Sequence, residues 1–429
     1  MRIGLQGLGK LGLPVALAIE SKGHEVCGYD IDERVHEIIR IRKLPYREKG
    51  AQELLDKTNI EIKDIPELVS FADIIFVPIQ TPHHPKYEGI TSLPTERMDF
   101  DYSFLKAGIR NLSEEIERQG KDKIVIIIST VLPGTIRREI LPLLGPHTKL
   151  CYNPFFIAMG TTIDDFLNPE FVLFGVENEH AAKVTEKFYK TIHDRPFCKM
   201  SIESAEMTKI AYNTFITAKI TIVNTIMEIC HKTPGANVDD VTNALKMATD
   251  RIISTKYMSG GMGDSGACHP RDCIALSWLS RNLKLGYDIY ESLMKSRENQ
   301  TIWFYNLILN EFVKTKYPIV ILGYTFKKNT NLTIGSHALL LESILREQPH
   351  SWLTNEPLYF SKYDPWVDKD IIEFKSPKIF FIGVNHDEFI NFKFPKGSVV
   401  IDPWRFIPEQ EGVKLVKIGI GEKVSDVLV

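Results

Sequence analysis

Ile3-Gly4-Leu5-Gln6-Gly7-Leu8-Gly9-Lys10-Leu11-Gly12 is the stretch on which the fold turns. It sets Gly-x-Gly-x-x-Gly directly after a short apolar strand and at the mouth of a helix. Gly7 permits the tight turn, Gly9 lets the backbone approach a pyrophosphate, and Gly12 allows close helix–strand packing. The helix N-terminus then aims its unsatisfied N–H groups at the phosphates. Gly23 suits the helix end, a second strand follows over 25–29, and Asp30 lies 18 residues beyond Gly12. An acid there meets the adenosine ribose hydroxyls and disfavours a 2′-phosphate, which predicts NAD over NADP. Arg34 nearby can accommodate that phosphate, and a glycine-rich turn without a cofactor is the bland alternative.

Outward from this turn, short apolar strands at 3–5, 25–29, 74–78, 124–129, 150–152 and 172–175 alternate with amphipathic helices. That alternation predicts a parallel sheet covered on both faces. From 202 to about 231 the pattern becomes one long helix, whose only charge between 210 and 227 is Lys219. A helix apolar all round is a buried one, so it reads as a spine between domains and between subunits. A second α/β stretch begins near Tyr317, with strands at 318–322, 378–382 and 398–401. Turns at Gly323, Asp364-Pro365 and Asp402-Pro403 punctuate it. The expected class is α/β: an N-terminal Rossmann-type domain (1–200), a central long-helix domain (201–300) and a C-terminal Rossmann-like domain (301–429).

Composition narrows the function. The 429 residues are 44% hydrophobic and 25% charged, as in a soluble enzyme of more than one domain. A formal net charge of -3 gives no basic field, which argues against a nucleic-acid partner and leaves room for a local cationic pocket. Six cysteines, at 27, 151, 198, 230, 268 and 273, show no CxxC and no Cys/His spacing, so they read as reduced thiols and not as a metal site. His83-His84, between Pro82 and Pro85, reads as loop. The first residues form a strand and turn rather than a signal segment, and no uncharged apolar run reaches the ~18 residues of a membrane span. The expectation is a cytoplasmic protein without a membrane segment.

Further motifs follow in order: Asp73-Ile-Ile-Phe-Val-Pro-Ile-Gln-Thr81-Pro82, Ser129-Thr130-Val131-Leu132-Pro133-Gly134-Thr135, Asn153-Pro154, and Phe166-Leu-Asn-Pro169. Then come Ala205-Glu-Met-Thr-Lys209-Ile-Ala-Tyr-Asn213, Gly263-Asp-Ser-Gly266-Ala-Cys268-His-Pro270-Arg-Asp272, Leu322-Gly323-Tyr-Thr-Phe-Lys327-Lys328 and Asp402-Pro-Trp-Arg405. From residue 1 to about 410 the chain resembles the UDP-glucose/GDP-mannose dehydrogenase family, and the cysteine motif is the most specific element of the likeness.

Pro270 favours a first helical turn, which places Cys268 just ahead of a helix running through 274–283. A helix N-terminus favours the thiolate, the nucleophilic form; a small buried residue is the plain alternative. Asp272 falls in the first turn, where an acid also complements the dipole. Lys209 and Asn213, four residues apart, share a helix face, and a snorkelling lysine is the alternative there. The resemblance implies that Lys209 stabilises charge on the reacting sugar oxygen and that Asn213 orients the substrate. It implies too that Asp272 and Thr130 order a water, and that Thr81 and Thr130 lie on the cofactor side. Lys327 would hold the substrate diphosphate, with Arg251, Tyr257 and Arg405 as further contacts. The implied reaction is NAD-dependent oxidation of a nucleotide sugar at C6, UDP-glucose foremost, to the uronic acid through a Cys-linked thiohemiacetal and thioester. A homodimer and a role in polysaccharide biosynthesis accompany it. A two-electron enzyme, another nucleotide sugar and a non-catalytic nucleotide-binding relative are the alternatives.

The chain departs from the family pattern. The family's Asn-Pro-Glu, whose Glu is the hydrolytic base, reads Asn153-Pro154-Phe155, and a second Glu four residues on is Met159. The Arg that follows the Lys-Lys pair and reaches the neighbouring subunit's cofactor appears as Ile334. His269 stands where the family carries an apolar residue. Asp272 and Thr130, acting through a water, are then the candidates to replace the missing base.

Overall fold

Strand residues that are apolar on both sides need cover on both faces, and Lys123–Ile127 is buried at every position. The computed structural model describes residues 1–92, 94–249, 257, 259–264, 266, 268–282, 284, 288–347, 358–369 and 373–420. Two units divide the chain: Met1–His83 with Asp99–Tyr212, and His84–Met98 with Asn213–Val429.

In the first unit eight strands share one sheet: β1 (Arg2–Gln6), β2 (Glu25–Tyr29), β3 (Glu61–Ile62), β4 (Ile74–Val77), β5 (Lys123–Ile127), β6 (Thr148–Tyr152), β7 (Val172–Val176) and β8 (Phe197–Met200). Their order is β3-β2-β1-β4-β5-β6-β7-β8. Every pairing is parallel except β6 with β7. The first six follow the doubly wound dinucleotide-binding order, which reverses between β1 and β4. Helix α1 (Gly12–Ser21) is buried from Gly12 to Ile19. Its apolar side chains meet Leu5, Phe76, Phe174 and Phe188 in one core.

The second unit holds, wholly or in part, the two longest helices. α2 (Ile202–Lys232) enters it at Asn213 and is followed by α3 (Val238–Lys246), α4 (Cys268–Asn282), α5 (Ile289–Thr315) and α6 (His337–Glu347). A parallel sheet is built from β9 (Ile319–Leu322), β10 (Phe360–Tyr363), β11 (Ile379–Ile382), β12 (Val399–Asp402) and β13 (Lys414–Lys417), in the order β10-β9-β11-β12-β13. This is the other common doubly wound order, with its reversal between β9 and β11.

Two expectations change. Helix α4 begins at Cys268 itself, because Pro270 occupies its first turn without needing an intrahelical N–H. Nor is α2 buried all round in the single chain: Phe215, Ile222 and Ile229 are 63%, 61% and 59% exposed. Seven-residue spacing puts these three on one stripe. Among the described residues no helix is long and apolar enough to cross a membrane, and no three His, Cys, Asp or Glu side chains gather as metal ligands.

Candidate active site

In the first unit the glycine turn closes where β1 ends. Gly7 has φ +117° and donates its N–H to Tyr29 O at 2.7 Å. A Cβ on Gly12 would stand 2.1 Å from Gly7 O, so only glycine fits there, whereas one on Gly9 would meet nothing within 4 Å. No side chain caps the start of α1, and with Leu13 N bonded to Gly9 O at 3.0 Å and Pro14 lacking an N–H, it is the N–H groups ahead of Leu13 that are left for a phosphate. Asp30, at the end of β2, accepts from Leu8 N at 2.6 Å and from Asp32 N at 2.9 Å, so its carboxylate also pins the turn. Arg34 is tied to Asp32 and is largely exposed.

Beside the strand-order reversal, Thr81 Oγ1 donates to Thr130 O at 2.6 Å and joins the segments that follow β4 and β5. The loop after Thr130 is held by Glu206 of α2, which accepts from Ile136 N at 2.7 Å and from Gly134 N. Burial pushes the Glu206 carboxyl up to about 7, against the pull of those two amides. Sequence reasoning missed Glu206, which nothing local distinguishes from Glu203 and Glu228 on the same helix. Lys209 is 8% exposed, with Nζ 5.3 Å from the Phe156 ring centroid. Phe155 packs on Phe76 and Phe166, with centroids at 6.4 and 5.5 Å.

In the second unit Cys268 is exposed at the first position of α4. Asp272, one turn on, is fully buried and accepts from Asn213 Nδ2 at 2.6 Å and from Arg271 Nε at 3.0 Å. The loop leading to Cys268 is clamped from several elements. Asn224 donates to Gly263 O (2.8 Å) and accepts from Gly261 N (3.1 Å), while Gln300 bonds Gly263 N and Gly261 O. Asp264, 2% exposed, lies 2.9 Å from His337 Nε2 and 3.3 Å from Arg297 Nε. Burial alone would push its carboxyl up, but His337 and Arg297 hold it well below the usual carboxylate range. Arg405 belongs to the same clamp: with φ +60° and a side chain 4% exposed, it bonds Asp239 at 2.8 Å, Gly260 O at 2.8 Å and Ile418 O at 3.0 Å. Tyr257 is 44% exposed with φ +63°. Lys327 is half-buried beside Phe326 in the loop after β9. Arg251 lies outside the described residues.

A parallel sheet in this order, a glycine turn that only glycine can form, and an uncapped helix start define a dinucleotide-binding protein of the dehydrogenase class. The sequence model described as "UDP-glucose/GDP-mannose dehydrogenase family, NAD binding domain" matches residues 1–193, and that of the family's central domain matches 203–299. The chain belongs to the UDP-glucose/GDP-mannose dehydrogenase family and is an NAD-dependent nucleotide-sugar dehydrogenase. It is 27% identical over 358 residues to UDP-glucose 6-dehydrogenase TuaD of Bacillus subtilis (strain 168), covering 81% of this chain and 74% of that protein. It is 28% identical over 344 residues to GDP-mannose 6-dehydrogenase of Pseudomonas aeruginosa, covering 77% and 75%. A solved structure of UDP-D-ManNAc dehydrogenase from Pyrococcus horikoshii superposes with TM-score 0.81 at 24% identity, over 98% and 99% of the two chains, and shares the fold. These relatives carry three different sugars in their names.

Proposed function

We propose that the chain oxidises the C6 hydroxyl of a nucleotide sugar, UDP-glucose foremost, to the carboxylate in two NAD-linked steps. The observation that carries this reading is the exposed Cys268 at the start of α4, one turn from an Asp272–Asn213 pair. A simple alcohol oxidation needs no sulfur nucleophile. A thiolate becomes useful when an aldehyde must be trapped and oxidised again. NAD, when bound, accepts the hydride in each oxidation.

Lys209 stabilises negative charge on the C6 oxygen as its proton leaves. Asn213 orients the sugar, and its bond to Asp272 fixes both side chains. Cys268 sulfur adds to the aldehyde carbon, giving a thiohemiacetal whose oxidation leaves a thioester; water then releases the acid and the thiol. The Thr81–Thr130 link shapes the cofactor side, and Thr130 holds a water. Lys327 takes the diphosphate, with Arg251 and Tyr257 as further substrate contacts, whereas Arg405 holds the cysteine loop. The domains we assign are 1–200 for NAD, 201–300 for dimerisation and catalysis, and 301–429 for the nucleotide sugar. The exposed stripe of Phe215, Ile222 and Ile229 supports a homodimer through α2, and six free thiols suit the cytoplasm.

The second reading, a two-electron oxidation that stops at the aldehyde, is favoured by Phe155, whose ring lies in an aromatic cluster. Counting NADH against sugar consumed, over a panel of UDP- and GDP-sugars with mass spectrometry of quenched enzyme, separates the two. We expect two NADH per sugar and a Cys268 adduct. One NADH with free aldehyde would establish the second reading, and no turnover by folded, NAD-binding protein would favour a non-catalytic relative.

A further inference from the structure

From Gly260 to Ala267 the segment that leads to Cys268 holds one charged residue, Asp264. Two of its glycines, Gly263 and Gly266, have φ +85° and +119°, and glycine brings no side chain to stiffen a backbone. What fixes such a segment must come from its neighbours. Asn224 and Gln300 hold its backbone atoms. Asp264 acts differently, through a buried, ionised carboxylate four residues before the sulfur.

Several elements of the second unit meet at that carboxylate. Its Oδ1 lies 2.9 Å from Nε2 of His337, the first residue of α6, and 3.3 Å from Arg297 Nε on α5. Arg297 also donates from Nη2 to Gly89 O at 2.7 Å, and a Cβ on Gly89 would stand 3.1 Å from Pro270 Cγ, in the first turn of α4. The loop and the helix that it feeds are thus both tied to the position of Arg297. On its other side the loop lies close against the segment after β9. A Cβ on Gly263 would overlap the His337 ring, and one on Gly266 would stand 2.7 Å from the Phe326 ring. Lys327, the diphosphate contact in the reading above, follows Phe326 directly.

Burying charge is a poor way to gain stability. Replacing a buried ion pair by packed apolar side chains is often neutral or stabilising, whereas removing one partner strands the other charge and is strongly destabilising. Asp264 stays paired only while the loop keeps its place, so the charge resists a slide of the loop that apolar packing would tolerate.

We propose that Asp264, held by Arg297 and His337, is a positioning residue that sets the Cys268 sulfur against the C6 carbon of the sugar; this rests on the two-oxidation reading. The first oxidation, from alcohol to aldehyde, does not use the sulfur. In the second, the thiol gives up its proton as sulfur bonds to the aldehyde carbon, and the carbonyl oxygen gains one. The thiohemiacetal then passes its hydride to NAD and its hydroxyl proton to solvent, which leaves the thioester. Misplacing a reacting atom by ~1 Å can cost ~10²-fold. Loss of the Asp264 charge should therefore slow the second oxidation and spare the first.

The test uses the full chain as wild type, Asp264→Asn and His337→Gln. Enzyme and NAD are in excess over the best sugar of the panel, and NADH is followed by stopped-flow absorbance. Wild type should yield two NADH per sugar. Asp264→Asn keeps the shape of the side chain and removes its charge; its first NADH should appear at close to the wild-type rate and its second ~10²-fold more slowly. His337→Gln leaves the Asp264–Arg297 pair standing and should delay the second NADH in the same sense, which decides the question if Asp264→Asn does not fold. Thermal unfolding and NAD titration of each variant accompany the traces. A merely structural role would slow both NADH alike and lower the melting temperature. That result, or two NADH at wild-type rates from a folded variant, would overturn the assignment. One NADH per sugar from the wild type would instead remove the two-oxidation reading on which it stands.

Discussion

Substituting alanine separately at Gly9 and Gly12 tests the dinucleotide turn, because the structure assigns the two positions opposite consequences. A Cβ at Gly12 would lie 2.1 Å from Gly7 O and 2.9 Å from both Gly7 C and Pro78 Cγ, where ordinary contact begins at 3.4 Å. The nearest atom is backbone, in a residue whose N–H is already tied to Tyr29 O, so the turn itself must shift. Overpacking of this kind costs ~1–3 kcal/mol, a fall of ~2–12 °C in the melting temperature of a unit this size. At Gly9 the new methyl meets nothing within 4 Å, and a surface change of this sort stays within ~0.5 kcal/mol. Yet this is the position where the backbone must approach the pyrophosphate. Losing one charge-assisted hydrogen bond there is worth ~1.5–3 kcal/mol, or ~10–100-fold in NAD affinity. Thermal unfolding without cofactor, paired with NAD titration followed by calorimetry, reads both quantities. Gly12→Ala should lose stability and affinity together, Gly9→Ala affinity alone. Unchanged NAD affinity in Gly9→Ala would refute the placement of the phosphates on this turn.

Asp30→Ala should narrow the preference for NAD over NADP and also destabilise the turn, since the carboxylate accepts Leu8 N and Asp32 N; the ratio of affinities for the two cofactors is the readout, and equal use of both by the unaltered protein would show that Asp30 does not meet the ribose. Cys268→Ser should cut turnover by orders of magnitude with NAD affinity little changed, and near-normal NADH production would remove the thiol from the mechanism. Glu206, whose folded value rises from 4.5 to about 7, binds its proton more tightly in the fold than in the unfolded chain. Its contribution to stability is thus fully present below pH ~4.5 and is lost as pH climbs through ~7, by at most ~3 kcal/mol. Denaturant unfolding of Glu206→Gln across this range should show a shallower decline than wild type, and identical slopes would contradict the burial assigned to Glu206.

Particular residues show how far the chain could be read unaided. Gly7, Gly9, Gly12 and Asp30 obey a local rule, in which turn geometry and strand length fix their spacing, and they stand where that rule puts them. Helix α2 was legible from Ile202 to its end because its pattern runs for 31 residues. Strands β3, β8, β10 and β13 were not: Glu-Ile, Phe-Cys-Lys-Met, Phe-Ser-Lys-Tyr and Lys-Leu-Val-Lys are short and partly charged. Such segments become strands because a neighbour supplies hydrogen bonds, and isolated periodicity of two to four residues carries little information.

By itself, then, the sequence determined the glycine turn, the alternation that builds parallel sheets, the long helix and the presence of a helix after the cysteine loop. Each depends on residues within a few positions of one another, where backbone sterics and periodicity suffice. Only the tertiary structure decided that Asp30 pins Leu8, that Glu206 holds the loop after Thr130, that Arg405 clamps the cysteine loop through Asp239 and Gly260, and that His269 meets Thr217. These pairs are separated by tens to more than a hundred residues, and their side chains meet only after the sheets and helices have packed.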